Sequence, residues 1–167
     1  MTYLVIEPDG TVRHEQQTPT LGRIDAIVQH GGWARVRLAD EWGMAGWVSD
    51  CGLISGAPRN PVGACVLATL GASQQPYAGP VVLTGYDHNS DWGGPESLQP
   101  GRVGTLSGIC DAVHDALAGR PLHGSWLSPE WGIEIRAFAE MVQSAPVPPW
   151  RILTDDEAIA ELRRSTP

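Results

Sequence analysis

The hydrophobic period of this chain changes once, and that change restricts the fold more than any other feature. Up to about residue 86 the apolar residues come in short runs or alternate, as strands require. After about residue 105 they recur every three to four positions, as helices require. In the first half, "TYLVIEP" (2–8) reads as a strand, "PDG" as a turn, and Thr11 to Glu15 as a second strand. "PTLGRIDAIVQHGG" reads as a helix capped by Thr20, with Leu21, Ile24, Ile27 and Val28 as its apolar stripe and Gly31 as its stop. "WARVRLAD" sets Trp33, Val36 and Leu38 against Arg35 and Arg37, nearly the pattern of a half-buried strand, and "EWGMAGWVSD" reads as a further strand weakened by Gly43 and Gly46. "NPVGACVLATLGA" reads as a helix with Asn60 as cap and Pro61 at its first position, and "AGPVVLTGY" as a buried strand.

Three helical patterns fill the second half. Leu106 to Leu117 is stopped by Gly119. "SPEWGIEIRAFAEMVQ" is capped by Ser128, with Trp131, Ile135, Phe138 and Val142 on one face. "TDDEAIAELRR" carries a capping box from Thr154 to Glu157. Strands first and helices second predict an α+β fold: a small mixed or antiparallel sheet with two helices over 1–86, a connecting loop over 87–104, and a three-helix extension over 105–167 packed on it.

Composition narrows the function classes. Every one of the 11 basic residues is Arg, against 19 acids, giving a net charge of −8. The excess of acid is concentrated after residue 86. An acidic surface repels phosphate backbones, so direct nucleic-acid binding is disfavoured. Three scattered Cys, with no C-x-x-C pair, argue against a disulfide framework or a zinc knuckle and for a reducing compartment. "MTYLVIEPDG" lacks the basic start and apolar length of a signal peptide, and no run approaches a membrane span. A cytoplasmic protein with no membrane partner is expected.

Three segments, "IVQHGGWARVRL" (27–38), "GLISGAPRNPVGA" (52–64) and "GPVVLTG" (79–85), carry a helix running into Gly-Gly plus a bulky residue and a strand, a Gly-x-Pro-x-Asn step at Pro58 and Asn60, and a Gly-x-Val-Val strand ending in Gly. In this order they resemble the domain-of-unknown-function family 3846, small proteins of bacteria, plasmids and phages. The resemblance covers about residues 2–86. At "SDCGLISG" the sequence departs from the more charged segment of that pattern. The family brings no assigned chemistry, so the resemblance implies a genomic setting and no catalytic residue.

The candidate chemistry sits in "LTGYDHNSDWGGPESLQPG" (83–101). Asp87, Asn89 and Asp91 alternate like the first ligands of a calcium loop, but Trp92 stands where the turn glycine belongs and Leu98 where the closing carboxylate belongs. Asp and Asn that bond their own backbone in turns account for the same pattern. His88 has Asp87 and Asp91 as possible acid/base partners. Trp92, followed by Gly93 and Gly94, is expected to anchor the loop by burying its ring. Asp111, His114 and Asp115 share one helix face, as metal ligands or as a solvated polar face, and Cys110 beside them reads as a small core residue. Seven Trp against one Phe leave Trp92 and Trp150 in Gly- or Pro-rich segments where a partner could meet them.

These readings select Asp87, His88, Asp91, Trp92 and Trp150 as candidate binding residues. They imply no cofactor, no metal and no catalytic residue. The expected function is that of a small accessory protein of a phage, plasmid or bacterial mobile element, binding another protein through an acidic, Trp-bearing surface. The alternative is a small-molecule-binding or metal-dependent enzyme with its site near the 87–101 loop.

Overall fold

The computed structural model describes residues 2–29, 31–87, 93–124 and 127–147. Six strands form one antiparallel sheet in the order β2-β1-β5-β4-β3, with β6 paired to β5 beyond the end of β1. Strands β1 (Tyr3–Ile6) and β2 (Val12–Glu15) are a hairpin closed by the Pro-Asp-Gly turn, where Asp9 accepts a 2.9 Å bond from the Thr11 amide. Helix α1 (Leu21–Val28) is capped by Thr20, which accepts from the Arg23 amide. Strands β3 (Trp33–Arg37) and β4 (Met44–Ser49) pair in register, joined through a 3-10 turn at Asp40–Trp42. Helix α2 (Pro61–Thr69) leads to the central strand β5 (Val81–Tyr86). The short β6 (Pro95–Glu96), α3 (Pro100–Leu117) and α4 (Pro129–Ser144) complete the described chain.

The pleat of the sheet divides the core in two. Leu4, Ile6, Met44, Val48, Val81 and Leu83 point to one face and meet α2, α3 and α4. Tyr3, Val5, Ala45, Trp47 and Val82 point to the other and meet Ile24 and Val28 of α1. The two first-half helices therefore lie on opposite faces, and α3 and α4 join α2 on the thicker side. Gly46 makes this possible. A Cβ there would stand 2.6 Å from Leu67 Cδ2, so the glycine is what lets α2 press onto β4.

Several expectations change. The described residues hold four α-helices, two in each half, rather than two and three; the expected helix at 154–164 lies outside the described residues. The 87–104 segment is not loop throughout. Pro95 and Glu96 extend the sheet and α3 starts at Pro100, six residues before the expected Leu106. Leu98, which stands where a calcium loop needs a carboxylate, is a core residue, and its amide bonds Thr2 O at 2.8 Å. Helix α1 stops at Val28, and Gln29 takes the left-handed φ of 47° before Gly31 and Gly32, at 104° and 129°, turn the chain into β3. Trp33 shares a face with Arg35 and Arg37, while Ala34 and Val36 turn toward the main core.

Candidate functional site

Two surfaces combine side chains that the sheet and helices bring together from distant parts of the sequence. The first is the face of β3. It is the last strand of the sheet, and among the described residues no strand lies on its outer side. Its register with β4 places Arg35 beside Trp47 and Trp33 beside Ser49. The Trp33 and Trp47 rings meet edge-on, with centroids 5.3 Å apart and planes at 72°. Trp47 is buried and fixed by a 2.9 Å bond from its Nε1–H to Thr84 Oγ1, which donates on to Gly85 O. Trp33 leans on this fixed ring with 37% of its surface exposed. The Arg35 guanidinium lies 4.6 Å from the centre of the Tyr86 ring and donates to the Tyr86 hydroxyl. Arg37 makes an exposed 3.2 Å pair with Asp40, which adds little stability and leaves the cation in solvent. In a chain of net charge −8, this edge presents two cations and an indole in one row.

The second is a cavity of about 630 Å3 where α2, α3 and the start of α4 diverge. It is lined by Trp42, Thr69, Gly104, Thr105, Gly108, Ile109, His123 and Trp131. Trp42 is held from outside the cavity by Arg102, whose guanidinium stands 5.3 Å from the indole centre and donates to Glu41 O at 2.9 Å.

The expected site residues divide as follows. Asp87 follows β5 directly, next to Tyr86, and is half-buried. The chain returns against it: a Cβ on Gly93 would run into the Tyr86 ring and come within 2.9 Å of Asp87 O. His88, Asp91, Trp92 and Trp150 lie outside the described residues. The Asp111, His114 and Asp115 trio does not converge. His114 donates from Nε2 to Gly10 O at 2.9 Å, tying α3 to the β1–β2 turn, and Asp115 pairs with Arg120 at 2.6 Å. Among the described residues no three His, Cys, Asp or Glu side chains are placed to share a metal ion. Burial raises the Cys65 and Cys110 thiols to about 12, Cys110 with a further push from Asp111, so neither is a nucleophile at neutral pH. No described helix is long and apolar enough to cross a membrane.

Sequence reasoning missed both surfaces. The signal for the first was present in the Trp-x-Arg-x-Arg spacing, which puts all three side chains on one face of a strand. Nothing local marked that strand as the sheet's edge. The signal for the second was the Gly104, Gly108 spacing, which weakens a helix and so concealed it. No family model matches the chain, and no curated protein or solved structure is significantly similar to it.

Proposed function

We propose that this protein acts by binding another protein, as a cytoplasmic accessory factor of a phage, plasmid or bacterial mobile element, and that its binding edge is the cationic row of β3 in place of the acidic surface expected from composition. The observation that carries the reading is the outer side of β3, unpaired among the described residues, with Trp33, Arg35 and Arg37 in one row. An unpaired edge offers backbone donors and acceptors to an added strand, and alternate side chains supply specificity. Arg and Trp are the residues that dominate binding energy at interfaces. The row of two arginines fits a partner segment that is extended and carries acidic residues at alternate positions. Like charges disfavour a second copy of the same strand, because an antiparallel pair centred on Arg35 would set Arg35 against Arg35. The genomic setting rests on the motifs at 27–38, 52–64 and 79–85 alone.

The test is selection from a displayed library of random eight-residue strands on the immobilised protein. Enrichment of alternating Glu or Asp, with binding lost in the Arg35→Glu/Arg37→Glu double variant at unchanged melting temperature, is the expected result. Enrichment of basic or purely apolar strands, or binding indifferent to the charge reversal, contradicts it.

A further inference from the structure

We propose that the cavity between α2, α3 and α4 is a binding site for a small, neutral, aromatic molecule that carries one hydrogen-bond donor. Its volume of about 630 Å3 falls in the range of small-ligand sites, which are concave, mainly apolar and equipped with a few placed polar groups. Two indoles, Trp42 and Trp131, and the Ile109 side chain supply the apolar walls. Helix α3 contributes bare backbone: a Cβ added at Gly104 or at Gly108 would meet no atom within 4 Å. The two glycines are therefore not required by packing within the chain, although each weakens the helix that carries it. Their spacing opens one helix face for a flat ring to lie close to the backbone.

The polar groups fix the ligand's chemistry. Thr69 Oγ1 donates to Cys65 O at 2.8 Å, and Thr105 Oγ1 donates to Gly101 O at 3.1 Å. Each hydroxyl hydrogen is thus committed to its own helix, and what each oxygen offers the cavity is an acceptor. To meet these two acceptors the ligand must bring a donor, as an indole N–H or a phenol O–H does; His123, the third polar side chain on the wall, can take either role. No Asp, Glu, Lys or Arg side chain lines the cavity among the described residues, and His123 is the one titratable group on its wall, so an ammonium on the ligand would lose hydration without a partner and a carboxylate would have the imidazole alone. This site is separate from the β3 edge and does not depend on the proposed partner.

Indole is the probe, with benzothiophene as the isostere lacking the N–H and indole-3-acetate as the charged analogue. Titration of the whole protein, followed by amide NMR, is expected to give saturable shifts at Gly104 and Gly108. Benzothiophene and indole-3-acetate should each bind about ten-fold more weakly, the scale of one unpaired buried polar group. Gly108→Leu should fill the cavity and abolish the shifts. Thr105→Leu provides a second blocking variant should the first fail to fold. Equal affinity for all three probes, the absence of saturable shifts, or shifts that survive both substitutions would overturn the proposal.

Discussion

Asn60 does more for this fold than its short side chain suggests. It is fully buried, and its Oδ1 accepts from the Gly63 amide at 2.8 Å, which caps α2. Its Nδ2 donates to Ile6 O at 2.9 Å and to Gly79 O at 3.0 Å, joining the helix start to the end of β1 and to the approach to β5. The capping role was legible from Asn-Pro before an apolar run. The two donor bonds were not, because their acceptors are 54 and 19 residues away. Asn60→Ala should lower stability by roughly 3 kcal/mol or more, since three buried backbone groups lose their partner. Asn60→Asp should be no better, because it keeps the cap but sets a carboxylate oxygen against two carbonyls. Chemical denaturation of the two variants checks this. The cysteines give a second prediction at this scale. At pH 8 a disulfide reagent should label Cys51, which is partly exposed, while Cys65 and Cys110 react only on unfolding. Their folded thiols titrate near 12, above the unfolded value, so the protonated form is the one the fold favours. That contribution is complete below the unfolded pKa and is lost as pH rises from about 9 toward 12. A stability-pH profile should fall across that window, and fall less steeply in Cys65→Ala/Cys110→Ala than in the parent.

The elements show where local pattern suffices and where it fails. The α1 and α2 helices, the β1–β2 hairpin and β5 follow their sequence signals to within a few residues, because each has a cap, a turn or an uninterrupted apolar run. Helix α3 begins six residues before its apolar pattern does, because Gly101 and Gly104 interrupt its first turns and packing of Leu106, Ile109 and Val113 overrides that local weakness. Strand β6 has two residues and begins with Pro, so only its pairing with Gly85 and Tyr86 defines it. The two glycine environments predict opposite responses. Gly108→Ala adds a methyl in open space inside a helix and should raise stability by about 1 kcal/mol, or a few degrees in melting temperature. Gly46→Ala drives a methyl into Leu67 and should cost about 1–3 kcal/mol, the range for overpacked cores. Thermal melts of the two variants, side by side, separate a glycine kept for packing from one that packing leaves unexplained.

At the scale of the whole molecule, one sheet is covered by α1 on one face and by three helices on the other, and among the described residues its β3 edge stays unpaired. The α+β class was legible from the period change; the sheet was legible only as mixed or antiparallel. Strand order was not, since nothing in a local pattern says that β5 inserts between β1 and β4 and leaves β3 outermost. The candidate site suffered from the same limit. The polar residues of 83–101 are contiguous and so stand out in sequence, whereas the Trp33, Arg35 and Tyr86 group is assembled across 53 positions by strand pairing. In the proposed function, β3 receives an added acidic strand. Amide hydrogen exchange of the protein, with and without a strand selected from the random library, tests it most directly. Slowed exchange at alternate amides within 33–37, absent in Arg35→Glu/Arg37→Glu, is the expected result. Protection confined elsewhere, for example to the exposed Ile133 and Met141 side of α4, with β3 unchanged, would contradict it.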